Sequence, residues 1–186
     1  MAASTQPALS GLARALIQQG RISEADAVAC SGPTEHPGGF PGELVHRSLM
    51  RAVDLAAFCS ETFGCPWLDI SAFDDAFFAK EAIDSKLTAK HRVVALGKRG
   101  NRITVGLSDP TNLRALDEIR FQTGMAIDPV VVEVDKLISL TNRLSETTTT
   151  TLDNLTETDE FGLEGIETEA DSDQSSDTGG VDVDDA

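Results

Sequence analysis

The sequence has no lysine or arginine after Arg143, although 14 of its 31 acidic residues lie beyond Ser145. Residues 1–145 hold all 15 cations against 17 acids and are close to neutral, whereas residues 146–186 carry −14. Short of aromatics as well, that acidic stretch has too little apolar surface to offset the entropy of ordering, and it reads as a disordered linker. A tail that mimics nucleic acid is the alternative reading. No apolar run reaches the ~20 residues that a membrane-spanning helix needs, so no direct insertion into a bilayer is expected. The opening MAASTQPALSGLARALIQQG lacks a basic region followed by a continuous apolar one, so it does not read as a secretory signal. There is no CxxC pair, and the three cysteines (Cys30, Cys59 and Cys65) read as reduced thiols, Cys59 and Cys65 as small core residues. No GxxxxGK[ST] loop occurs, which excludes a nucleoside-triphosphate cradle of that type.

What is present is a run of punctuated apolar patterns. Leu9, Leu12, Ala13, Leu16 and Ile17 follow the spacing of a one-sided helix, closed by Gly20. Ser23 starts a second helix with acids in its first turn, reaching about Cys30. SGPTEHPGGFPG, residues 31–42, reads as a loop. Leu44, Val45, Ser48 and Leu49 mark a third helix. Leu55, Ala56, Cys59 and Phe63 mark a fourth, stopped by Gly64 and Pro66.

CPWLDISAFDDAFF, residues 65–78, reads as a bridge. A short helix over 83–91 is followed by strands at 92–96 and 103–107, joined through GKRGN as a hairpin. Ser108 is expected to cap the next helix, with Pro110 in its first turn and Gly124 at its end. A third strand is expected over VVVEV, residues 130–134, and a last helix carries Leu137, Ile138, Thr141 and Leu144. The fold class is therefore α+β. A small all-helical subdomain (1–64) and a bridge (65–78) precede a two-layer αββαβα subdomain (79–145), with helices on one face of its sheet. The disordered acidic tail (146–186) follows.

Few residues look chemical. Lys98, Arg99 and Arg102 sit around the hairpin turn. They read as solvated charges rather than an anion or membrane contact, because no aromatic is interleaved with them. His36, His46 and His91 have no metal-ligand spacing, and His91 suits a helix C-terminus. No catalytic, cofactor or metal residue is expected in this chain.

KRGNRITVGLSDPTNLRALDEIRFQTG, preceded by LTAKHRVVAL and followed by MAIDPVVVEVDKL, resembles the N-terminal domains of the PilB family of type IV pilus assembly ATPases. The GspE and MshE ATPases are more distant relatives. FGCPWLDIS resembles the family's Gly-x-Pro-aromatic-x-Asp segment. The resemblance implies a docking and regulatory domain of a hexameric extension motor, cytoplasmic and peripheral to the inner membrane. It also implies that ATP and magnesium belong to a motor region beyond Ala186, that the chain is an excised fragment, and that this fragment is no enzyme. The implied partners are a PilZ-like adaptor, inner-membrane platform proteins and the rest of the motor. No nucleic acid is among them. Leu12, Leu16, Leu44, Leu49 and Phe58 are candidates for the docking face, or else form the helical unit's own core.

The MshE relatives imply an alternative, a cyclic-di-GMP receptor with two Arg-Leu-Gly-x-x-Leu-Val-x-x-Gly motifs. Here the copies fall at Gly11–Gly20 and Gly39–Ser48. Leu16, Ile17, Gly20, Leu44 and Val45 are kept, but glycine replaces both leading arginines. Arg14 and Arg47 are the remaining possible dinucleotide contacts.

Overall fold

In a computed structural model, residues 9–32, 36–73 and 78–144 are described. The tail expected to be disordered lies outside them. Four helices come first: α1 (Gly11–Gln18), α2 (Glu24–Cys30), α3 (Gly39–His46) and α4 (Ala52–Phe63). Each presents an apolar stripe to the others. Leu12, Ala13 and Leu16 from α1, Ala27 and Cys30 from α2, Leu44 from α3, and Leu55, Ala56, Phe58 and Cys59 from α4 form one buried cluster. Ser23 caps α2 as expected, its hydroxyl accepting the Asp26 N–H at 3.1 Å. Gly64 ends α4 in the left-handed conformation, as its sequence position implies.

The Gly/Pro loop is shorter than expected, because α3 begins inside it at Gly39. Pro41 does not prevent this. It is the third helical residue, where an N–H would have no acceptor within the helix anyway.

After two short 3-10 turns, Ile70–Ala72 and Lys80–Ala82, come α5 (Ser85–His91), β1 (Val94–Arg99), β2 (Arg102–Leu107), α6 (Leu113–Thr123), β3 (Ala126–Val131) and a last helix, α7, over 134–144. The mixed α+β class with a helical first part is as expected. The sheet order is β1-β2-β3, with β1 antiparallel and β3 parallel to β2. The hairpin is tighter than GKRGN suggested. Arg99 pairs with Arg102, and only Gly100 and Asn101 turn the chain, with Gly100 at φ 59°.

Two boundaries differ for physical reasons. β3 starts at Ala126, not Val130, because pairing in register with β2 runs from Arg102–Ala126 to Leu107–Val131. Pro129 is tolerated there because β3 is an edge strand alongside it. Helix α6 is capped by Asn112, whose side chain accepts the Ala115 N–H at 3.3 Å, and not by Ser108. Asp109 instead holds a turn of its own, accepting the Thr111 N–H at 2.9 Å and its hydroxyl at 2.6 Å.

The sheet is covered on both faces rather than one. Ile103, Val105, Leu107 and Ile127 point to the side where Ile83 and Ile119 pack. Val94 and Val132 point to the other side, where Leu137 and Leu140 of α7 close over them with Ile70 and Phe78. Strand alternation makes this legible afterwards: an unbroken apolar VVV needs burial on two sides. Val131 itself packs into the helical cluster, so the first four helices meet the end of β3. There the bridge segment joins the edge strand, with Val131 N–H donated to the Pro66 carbonyl at 2.8 Å and Leu68 N–H to the Val131 carbonyl at 2.9 Å.

Candidate functional site

The two motif copies place their first residues, Gly11 and Gly39, at the starts of α1 and α3. Both starts lie against the α/β part. At α1 the Thr111 hydroxyl accepts the Leu12 N–H at 3.1 Å and donates to Asp109. Ser10 accepts the Ala13 N–H at 3.1 Å, and its carbonyl accepts the Arg14 N–H. The Leu12, Ala13 and Arg14 N–H groups, which could otherwise help hold an anion, are thus already bonded. Gly11 is needed for this contact. A Cβ there would lie 2.8 Å from the Thr111 Cβ, far inside van der Waals contact.

At α3 the neighbour is Arg92. This residue ends α5 with φ 54°, a left-handed conformation unusual outside glycine. Its guanidinium lies beside Gly39, where a Cβ would approach Nη1 to 2.9 Å, and Gly39 itself has φ 59°. Around them a groove of about 120 Å³ is lined by Gly38, Gly39, Arg92, Ser108, Asp109 and Asn112, among others. That is well below the ~300 Å³ at which small-molecule clefts usually begin. It also holds both signs of charge. Burial pushes the Asp109 carboxyl up, and the two Thr111 bonds oppose that shift.

The docking candidates divide sharply. Leu12, Leu16 and Leu44 are fully buried and Phe58 nearly so, all within the helical core. Leu49 alone of the five reaches the surface, at 36% exposure. Arg14 is exposed on α1, and Arg47 is held by Glu43 at 2.5 Å. Among the described residues, no hydrogen bond or ion pair joins these two arginines into one site.

Among the described residues no group of three His, Cys, Asp or Glu could hold a metal, and no helix is long and apolar enough to cross a membrane. His91 sits in the last turn of α5, where Glu118 of α6 takes its Nε2 at 2.8 Å and the Lys90 ammonium at 2.5 Å. The hydrogen bonds from Lys90 and His91 hold the Glu118 carboxyl below the usual range. This clip joins α5 to α6. Burial pushes the Cys59 thiol up to about 12, so it stays protonated and is a poor nucleophile. The residues that sequence reasoning missed are Thr111 and Arg92. Nothing in the spacing announces a contact across 99 residues.

The chain is similar to known proteins along most of its length. Residues 63–151 match the MshEN domain model. The chain is 35% identical over 160 residues to the type IV pilus assembly ATPase PilB of Pseudomonas aeruginosa, covering 86% of this chain. It is 34% identical over 135 residues to PilB of Acinetobacter baylyi, covering 72% of this chain. It spans only 28% and 23% of the length of those relatives. The fold is shared with the N-terminal domain of XpsE, at TM-score 0.56 and 22% identity over 71% of this chain and 92% of that one. It is also shared with MshE, solved with cdg, at TM-score 0.51 and 19% identity over 72% of this chain and 97% of that one. The chain thus carries an MshEN domain over residues 63–151 and is related to the PilB family of type IV pilus assembly ATPases.

Proposed function

We propose that this chain is the non-catalytic docking and regulatory part of a type IV pilus extension motor. It receives another protein of the pilus machine, an adaptor of the PilZ kind or an inner-membrane platform protein. ATP and magnesium act in the motor region, which lies outside this chain. The observation that carries the reading is the similarity to PilB along 86% of the chain. Two features fit it. The start of α1 is bonded to the α/β part through Thr111, and the Arg92 side chain lies beside the start of α3. Large apolar side chains remain on its surface, among them Trp67, Phe73, Leu113 and Phe121.

The test is retention of partners from the source cell on the immobilised full chain. The reading expects a named pilus-machine protein, lost when the chain is unfolded. Retention of no pilus protein contradicts it.

A second reading, a cyclic-di-GMP receptor, has the fold shared with MshE in its favour. Against it stand Gly11, where a Cβ would meet the Thr111 Cβ at 2.8 Å, and Gly39, whose φ of 59° a side chain rarely adopts. Calorimetric titration separates the readings. Tight binding abolished by Arg14→Ala or Arg47→Ala supports the receptor, and no heat supports docking alone.

A further inference from the structure

We draw no further inference here: the strongest candidate, the apolar groove between α3 and α7 lined by His36, Val45, His46, Val134 and Ile138, is an unpartnered surface, and nothing in the structure shows what covers it.

Discussion

The Thr111 hydroxyl accepts the backbone N–H of Leu12 at 3.1 Å across 99 residues of sequence, and so joins the first helix to the α/β part. It donates in turn to Asp109 at 2.6 Å. One hydroxyl thereby acts as a helix cap and as the partner of a half-buried carboxyl. Thr111→Val keeps the shape and loses both bonds. It is expected to lower stability by about 1–2 kcal/mol, the range for a lost N-cap. Thr111→Ser should recover most of it. Urea unfolding of the three proteins checks this, and equal midpoints for valine and threonine would refute the cap.

The same contact predicts what happens when the family's leading arginine is restored. Gly11→Arg puts a Cβ 2.8 Å from that of Thr111, and each Cβ is fixed in place by its own backbone, with no rotamer to relieve the contact. The expected cost is about 1–3 kcal/mol, as for overpacking elsewhere. Thr111→Gly in the same chain should return part of that loss by opening the space, so the two changes are non-additive. A double-mutant cycle measured by thermal unfolding decides it, and strict additivity would show that the residues are not in contact.

Acid behaviour follows from two carboxyls with opposite shifts. The Ser71 hydroxyl, the Ser71 N–H and the Lys136 ammonium hold the Asp69 carboxyl down to about 2. A carboxyl lowered on folding contributes stability above its unfolded value of about 4, and that contribution is lost as pH falls toward 2. Asp109 is raised by burial, so its folded form holds the proton more tightly than its unfolded form does. Its effect therefore runs the other way, and stability falls as pH rises through the carboxylate range. Asp109→Asn keeps an acceptor for Thr111 and removes the charge. It is expected to be no less stable at pH 7 and to flatten the stability profile between about pH 4 and 7. Urea midpoints at several pH values test this, and a marked loss at pH 7 would contradict it.

Core and surface leucines should separate clearly. Leu44→Ala empties a fully buried position in the helical cluster and is expected to cost about 2–5 kcal/mol. Leu49→Ala, at a position already 36% exposed, should cost under about 1 kcal/mol. Chemical denaturation of both variants checks the ranking, and equal costs would contradict the burial.

Much of this architecture was legible in the sequence because its signals are local. The Leu12–Leu16 stripe, the Ser23 cap and the glycine stops at Gly64 and Gly124 each lie within a few residues of what they determine. The errors came where a distant partner decides. Ser108 looked like a cap because it stands before Pro110, but Asp109 spends its carboxyl on Thr111 and leaves the capping to Asn112. The valines of β3 mark a strand, yet its start is set by pairing with Arg102. The candidate site shows the same limit. Leu12, Leu16, Leu44 and Phe58 have the spacing of an apolar face, and spacing does not say whether that face meets its own chain or another. The exposed Phe121 has no sequence mark at all, since only the packing of Ile119 and Ala115 inward turns it out.

The central claim is that this chain serves a pilus motor by docking rather than by chemistry. Its most direct measurement compares the full-length motor with one lacking residues 1–144, scoring ATP hydrolysis by the purified protein and surface pili on the cell. The account predicts hydrolysis retained and pili lost. Pili assembled normally without these residues, or hydrolysis abolished while the motor region stays folded, would contradict it.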